Sequence, residues 1–387
     1  MKHRRLGALV AGAALVLAAC GGGDSSSDTT APSDTQAPAG AVSLAGICPE
    51  TIVLQTDWHP EAEHGFLYEL VGPGYTFNTE KQTVTGDLYS EGAALDVKVE
   101  VRAGGPAIGF QSVTSQLYQD PNIMLGFVST DLAISNSVEF PTMSVVAPFN
   151  INPQIIMWDP ATYPDVKEIK DLKATGAKVR YFDGAAYMDY LVASGQLDAG
   201  QIDGTYDGAP ASFLAANGKD AQQGFGTNEP FFYENVLPEW GKPVAYQYIH
   251  NAGWTAYAQS LGGTPENISK WSECLKQFVP IVQKAQRDYI ANPSRTNALI
   301  IDAVNTYNAG WTYIASQADA AVEKMLEDKL VANSPDGTLG SFDLDRVTSF
   351  IETAVPIYEK SGSKVKEGIT PADIVTNEYI DPSITLG

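Results

Sequence analysis

Basic residues are scarce in this chain of 387 residues, which has 24 Lys and Arg against 46 Asp and Glu. The formal net charge is therefore -22 at pH 7. A field of this sign repels nucleic acids and anionic lipids, so nucleic acid is not an expected partner. Uninterrupted apolar runs are also short, and none reaches the roughly 20 residues that a membrane-spanning helix needs.

Familiar catalytic motifs are absent as well. The sequence has no G-x-S-x-G elbow, no Walker A loop, no H-E-x-x-H helix and no C-x-x-C pair. Residues 361–364 match S-x-x-K, but they lack the partner motifs of that class of enzyme. His59, Glu61, Glu63 and His64 are suitable metal ligands by type, yet their spacing matches no familiar metal site. We therefore predict no catalytic residue, no metal and no cofactor.

The N terminus has the pattern of an export signal. Uncharged apolar residues fill positions 6–17 behind the basic Lys2, Arg4 and Arg5, a run that suits a signal peptide and is too short for a membrane span. Leu-Ala-Ala-Cys follows at 17–20 and resembles a bacterial lipobox. We therefore expect a signal peptide over 1–20 and a lipid anchor on Cys20, which would hold the protein outside the cytoplasmic membrane.

The segment after Cys20 is poor in the residues that build a core. Residues 21–40 contain no aromatic side chain and no aliphatic one larger than alanine, which predicts a flexible linker over 21–45. Beyond it, Cys48 and Cys274 are the only cysteines left. Outside the cytoplasm these two can form a disulfide, and the alternative is two unrelated buried thiols.

Short apolar runs that end in polar or glycine-rich junctions recur along the body. Residues 51–57, 95–101 and 123–128 follow this pattern, and a second group of such runs lies between 154 and 228. The C-terminal third has helical periodicity, and residues 264–289 predict one helix with Thr264 as its cap before Pro265. Alternating strands and helices predict an α/β fold whose ligands collect beyond the carboxyl ends of the strands.

The chain after the predicted linker is too long for one typical domain of about 100 to 200 residues, so two lobes are expected. We assign 46–150 to the first lobe and 151–247 to the second lobe. Residues 248–387 are assigned to a C-terminal helical part of the first lobe. The lobes are then expected to meet near residues 149–154 and again near 243–251.

Several motifs, taken in order, resemble those of extracytoplasmic substrate-binding lipoproteins of ABC transporters. The group in question binds nitrate, taurine and alkanesulfonates, and it includes the proteins for the thiamine pyrimidine. The matching stretches cover most of the body and read TDWHPEAEHGFLY at 56–68, a Gly-Gly turn at 104–105, Thr-Asp at 130–131, YDGAP at 206–210, TNEP at 227–230, FDLDRV at 342–347 and ITPADIVTNEYID at 369–381.

This resemblance implies a two-lobed periplasmic-binding-protein fold of type II, in which each lobe is a mixed sheet flanked by helices and the ligand cleft lies between the lobes. It also implies a small-molecule ligand and the permease subunits of an ABC importer as partners. The iron-linked cysteines of the fungal pyrimidine-synthesising members are missing here, which argues against an enzyme. The expected ligand-binding residues are Trp58, Glu61, His64, Gly104, Gly105, Thr130, Asp131, Asp183, Tyr206, Asp207 and Glu229.

Charge at these positions bears on the ligand. An anion favours Arg, Lys or a helix N-terminus, whereas the predicted loops supply carboxylates, with Arg102 and Arg180 as the only nearby basic residues on strands. We therefore expect a planar, nitrogen-bearing, neutral or cationic molecule such as a precursor of the thiamine pyrimidine. A nitrate- or sulfonate-type anion remains the alternative, since helix N-termini bind anions without a basic side chain, and an exported enzyme on the same fold is less favoured.

Overall fold

The computed structural model describes residues 43–387. The predicted signal peptide, the lipid-anchor residue Cys20 and nearly all of the predicted linker lie outside the described residues. Within residues 43–387, no helix has the length and apolar character needed to cross a membrane.

Twelve strands and twelve α-helices are found in the described part of the chain. The strands are β1 Thr51–Gln55, β2 Thr76–Asn78, β3 Thr83–Ser90, β4 Ala93–Arg102, β5 Ile123–Val128, β6 Met143–Val146, β7 Gln154–Trp158, β8 Val179–Arg180, β9 Ile202–Asp203, β10 Ala221–Phe225, β11 Ala245–Tyr248 and β12 Ser260–Gly263. The helices are α1 Gly65–Glu69, α2 Val113–Gln119, α3 Thr130–Ser135, α4 Leu172–Thr175, α5 Ala186–Ala193, α6 Ala211–Ala216, α7 Glu229–Phe231, α8 Pro265–Lys270, α9 Ser272–Ala291, α10 Ser294–Tyr307, α11 Ala315–Glu327 and α12 Leu344–Ser361.

The larger sheet has seven strands in the order β2-β3-β4-β1-β5-β12-β6. Its centre is parallel, because β1 pairs in parallel with both β4 and β5, whereas β12 is antiparallel to β5 and β6. Every residue of β5 is buried, as expected for a central strand covered on both faces. The polar segment 75–92 forms the β2–β3 hairpin at one edge of this sheet.

The smaller sheet has five strands in the order β11-β7-β10-β8-β9. Strand β7 is antiparallel to β10 and β11, while β8 is parallel to β10 and β9. The chain passes from the larger sheet to the smaller one between Val146 and Gln154, and it returns between Tyr248 and Ser260. The two mixed sheets flanked by helices confirm the fold class expected from the sequence.

The helical C-terminal part packs mainly on the larger sheet. Thr264 caps α8 by accepting a hydrogen bond from the backbone N–H of Asn267, and Pro265 occupies the first helical position. The periodicity of 264–289 suggested one helix, but α8 ends at Lys270 and α9 begins at Ser272, because the backbone at Trp271 leaves the helical region (φ -103°, ψ 18°). Cys274 on α9 is bonded to Cys48, and their Cα atoms lie 4.8 Å apart.

Two C-terminal segments tie the molecule together. Helix α12 packs against α3 beside the larger sheet and against α5 beside the smaller one, so it joins the lobes and does not belong to the first lobe alone. The segment after α12 then returns to the larger sheet. There the N–H of Ser144 donates to the carbonyl of Ile374, and the N–H of Thr376 donates back to the carbonyl of Ser144, 2.9 Å in each case.

Candidate functional site

A loop that follows β1 carries the first group of site residues. The N–H of Gly104 donates to the carbonyl of Trp58, and the N–H of Gly105 donates to that of Asp57. A Cβ atom on Gly104 would lie 2.3 Å from the carbonyl oxygen of Thr56, a distance that real Cβ atoms do not adopt. Gly104 and Gly105 therefore hold the loop from behind and do not line the cavity, although both were expected to bind ligand.

Two adjoining cavities, of about 200 and 300 Å³, lie where this loop meets the ends of the smaller sheet. Trp58 and Glu61 line the first cavity from the side of the larger sheet, while Phe182 and Gln223 line it from the smaller sheet. The residues common to both cavities are Tyr206, Gly208, Asn228, Glu229 and Trp311. Side chains from both lobes thus form one continuous cleft.

Five aromatic residues line the first cavity, and we call four of them, Trp58, Phe182, Tyr206 and Trp311, the aromatic box. The fifth is Phe225, the last residue of β10. The ring centroids of Trp58 and Phe182 are 5.8 Å apart, those of Phe182 and Tyr206 4.9 Å, and those of Trp58 and Trp311 6.3 Å. Outside the box, the ring of His59 stacks on Trp311 with an interplanar angle of 5°. Flat, apolar faces from both lobes thus surround the cavity.

Carboxyl groups provide the charge in the cleft. Glu61 is only 5% exposed and lines the first cavity. Burial raises its pKa well above the ordinary value, and the neighbouring carboxylates of Glu63, Asp57 and Glu229 raise it further. Glu229 accepts a hydrogen bond of 2.6 Å from the N–H of Phe225, yet burial, followed by the charge of Glu63, raises the pKa of Glu229 to about 7. The two carboxyls come from opposite lobes and affect each other electrostatically.

Replacing Glu229 with glutamine is expected to stabilise the solute-free protein at pH 8 and to have a much smaller effect near pH 5. A carboxyl whose pKa rises from 4.5 to about 7 on folding costs stability progressively as the pH rises through that interval, and glutamine removes this cost. We expect the midpoint temperature of unfolding to differ from that of the wild type by roughly 2 °C or more at pH 8. Differential scanning calorimetry across pH 5–8 measures it.

The variant must be compared with the wild type at each pH, because two histidines change the stability of both proteins with pH in the opposite direction. Burial, aided by His64 and by Arg346 respectively, lowers the pKa of His59 and of His250 to about 4, so both cost stability as the pH falls below about 6.5. Their contribution is common to the two proteins and cancels in the difference. Glu234→Gln, at an exposed carboxylate, is the control and should show no such trend. An equal difference at pH 5 and pH 8 would contradict the role of Glu229.

His64 lies behind the cavity and supports its acidic wall. The side chain is fully buried, and its ring Nε2 lies 3.0 Å from Oδ1 of Asp57 and 3.7 Å from Oε1 of Glu61. Gln259 donates its amide Nε2 to both oxygens of Asp57, at 3.2 and 3.3 Å. His64 was expected to contact ligand directly, but its burial behind Asp57 makes it a positioning residue.

Four further expected ligand-binding residues do not line the cleft. The hydroxyl of Thr130 accepts a hydrogen bond from the N–H of Tyr257, and Asp131 accepts one from the indole of Trp254. Asp183 is exposed in a turn before Gly184, and Asp207 is exposed in a turn where it accepts the N–H of Ala209. Each of the last two aspartates precedes a glycine with positive φ, which is typical of a turn. Trp58, Glu61, Tyr206 and Glu229 are the expected residues that the structure does bring together.

The lining residues that were not expected from the sequence include Phe182, Gln223, Gln259 and Trp311. Phe182 follows the carboxyl end of β8, where the rule for open α/β sheets places ligands, so that rule pointed to it. Gln223 is the middle residue of β10, and the rule does not mark it. Gln259 and Trp311 come from loops before β12 and between α10 and α11, and no sequence signal marks them. In the described residues, no group of three or more His, Cys, Asp or Glu side chains is arranged to hold a metal ion.

Solved structures resemble the chain in fold. The periplasmic aliphatic sulphonate-binding protein SsuA from Escherichia coli aligns with a TM-score of 0.52 at 16% identity, over 88% of this chain and 95% of that one. The alkanesulfonate-binding protein SsuA from Xanthomonas axonopodis pv. citri, bound to MOPS, gives 0.51 at 12% identity over 85% and 98%. A protein from Bordetella bronchiseptica gives 0.51 at 16% identity over 86% and 96%.

No family model matches the sequence, and no curated protein matches it significantly. At identities of 12–16% the structural likeness shows the fold alone. It confirms the two-lobed periplasmic-binding-protein fold, and the solved structures that share it include the SsuA sulfonate-binding proteins to which the sequence motifs pointed.

Proposed function

We propose that this protein is an extracytoplasmic solute receptor that captures a small molecule and delivers it to the permease subunits of an ABC importer. The observation that carries the proposal is the shared cleft, in which Trp58 and Glu61 from one lobe and Phe182 and Glu229 from the other line the same cavity. Lobes that both contact a ligand close around it by a hinge motion, and the closed form is what a transporter can recognise.

The lining of the cleft favours a planar molecule that bears nitrogen, such as a precursor of the thiamine pyrimidine. The aromatic box offers flat faces for stacking, and the amides of Gln154 and Gln223 line the same cavity. The sulfonate-type alternative receives less support. Arg102 is paired with Glu100 and Asp120, while Arg180 is paired with Asp203 and Asp220, and none of these residues lines the cleft.

Native mass spectrometry of the purified protein tests the proposal, by detecting any small molecule that remains bound. Recovery of an unmodified molecule, with no turnover when it is added back, supports a receptor. Steady conversion of that molecule would instead support an exported enzyme on this fold. Protein that carries no solute and binds none from a pool of extracted metabolites would contradict the receptor.

The anchor at Cys20 is a further part of the proposal, motivated by the lipobox-like Leu-Ala-Ala-Cys at 17–20. Cys20→Ser is expected to move the protein from the membrane fraction to the soluble fraction, because the acylated sulfur is lost. Immunoblotting of fractionated cells measures the change. Ser25→Ala, in the neighbouring serine-rich segment, is the control and should stay with the membrane. Retention of the Cys20→Ser variant would rule out the anchor.

A further inference from the structure

We infer that the cleft takes its solute as an organic cation with N–H donors, which is enclosed by the aromatic box and neutralised by Glu61 and Glu229 from opposite lobes. This inference rests on the proposed receptor function and specifies the charge of the ligand. It is carried by three independent properties of the cleft: its free hydrogen-bonding atoms, its aromatic faces and its balance of charge.

Two acceptors on residues that line the first cavity lack partners, the carboxylate of Glu61 and the side-chain carbonyl of Gln259. Glu61 makes no hydrogen bond through its carboxylate to another described residue, since Nε2 of His64 is 3.7 Å away. Gln259 is 4% exposed, and its carbonyl Oε1 is buried without a partner. Donation of its Nε2 to Asp57 fixes which end of the amide is the oxygen. Buried acceptors are costly unless a donor reaches them, so the ligand is expected to supply N–H groups.

One donor on a residue that lines the cleft also lacks a partner. The indole Nε1 of Trp311 is buried and unpaired among the described residues, and Trp311 lines both cavities. A ligand with one acceptor atom in addition to its N–H groups would satisfy it. This is the pattern of nitrogen bases that carry both a ring nitrogen and amino groups.

The aromatic faces and the carboxylates of the cleft together favour a ligand that carries a positive charge. A cation placed over an aromatic ring is attracted by the negative face of the ring, and the attraction is stronger where water is excluded. Three residues that line the first cavity, Asp57, Glu61 and Glu229, carry carboxyl groups, whereas no Lys or Arg lines either cavity. An anion would enter this site against like charge and without a basic partner.

The carboxyls also link ligand charge to the association of the lobes. Glu61 comes from the loop after β1, and Glu229 is the first residue of α7, which follows β10, so closing the cleft brings two like charges together. The hydroxyl of Thr227 donates to Glu63 across the same boundary, which holds the lobes together beside the pair. A cation between Glu61 and Glu229 removes their repulsion, and a neutral or anionic molecule does not.

Three monosubstituted benzenes of different charge test the inference: benzamidine, its near-isostere benzamide, and benzenesulfonate. We expect benzamidine at millimolar concentration to raise the unfolding temperature of the protein, and to bind at least about tenfold more tightly than benzamide in isothermal titration. Equal binding of benzamidine and benzamide would overturn the inference. Preferential binding of benzenesulfonate would overturn it too, while leaving the receptor proposal in place. Stabilisation by none of the three also overturns it, and native mass spectrometry then judges the receptor separately.

Two variants test whether Glu61 and Glu229 supply the negative charge that binds the cation. Glu61→Gln and Glu229→Gln are each expected to weaken benzamidine binding about tenfold or more and to leave benzamide binding unchanged, because only the charged hydrogen bond is lost. Neither should lower the unfolding temperature of the solute-free protein, since each relieves repulsion. Equal weakening of both probes, together with a lower unfolding temperature, would show a merely structural role and overturn the assignment. Glu234→Gln, at an exposed carboxylate, is the matched control and should behave as the wild type.

Discussion

Trp58→Ala is expected to weaken solute binding by roughly ten- to a hundredfold, which corresponds to the 1–3 kcal/mol typical of stacking on an aromatic side chain. Trp58 lines the first cavity and contacts the second lobe, since its ring lies 5.8 Å from that of Phe182 and a Cβ on Gly208 would approach it to 3.1 Å. Its loss therefore removes both a stacking face and a contact across the cleft. Isothermal titration with the solute recovered by native mass spectrometry measures the change.

Tryptophan fluorescence gives a second measurement of the same effect. Solute should change the emission of the wild type, and the part that comes from Trp58 should disappear in the variant. Trp271→Ala removes an indole at the junction of α8 and α9, outside the cleft, and is the matched control. Unaltered affinity in Trp58→Ala, with an unchanged unfolding temperature, would mean that the loop after β1 does not form the binding site.

Replacing Cys48 and Cys274 with alanine together is expected to lower the free energy of unfolding by up to about 5 kcal/mol. The bond closes a loop with a sequence separation of 226 residues, and it joins the segment before β1 to α9. Opening it restores conformational freedom to the unfolded chain, and the restored entropy favours unfolding. Urea denaturation of the wild type and the double variant measures the difference.

Thiol counting complements the denaturation experiment. Denatured, unreduced protein should show no free thiol from Cys48 or Cys274, and full reduction should release both. Wild-type protein treated with a reducing agent should unfold near the midpoint of the double variant. Two free thiols before reduction, or a double variant as stable as the wild type, would contradict a stabilising disulfide.

Elements whose local pattern agreed with the fold were predictable from the sequence. The strand at 123–128 was expected with the bounds of β5, because an apolar run between polar junctions is what a doubly covered strand requires. The cap at Thr264 followed from Thr-Pro chemistry alone. The break at Trp271 was missed, since apolar periodicity continues through it and only the backbone reveals where one helix ends and the next begins.

The candidate site was partly predictable, for a related reason. Trp58, Glu61 and Glu229 adjoin strand ends, where a sequence pattern can place them. Asp183 and Asp207 looked equivalent, yet both are exposed, because an Asp-Gly pair serves a turn as readily as a ligand. Trp311 is brought to the cavity by the packing of α10 and α11, hundreds of residues after Trp58, and tertiary packing of that kind leaves no local pattern.

The return of the C-terminal segment to Ser144 has a consequence for the order in which the molecule is completed. A chain is synthesised from its N-terminus, so β7 to β11, which are contiguous between Gln154 and Tyr248, are available together early. The larger sheet must wait for β12 between β5 and β6, and then for Ile374 and Thr376 beside β6. Until then strand edges of this sheet remain open to wrong partners, so the chain is exposed to aggregation until its last residues emerge.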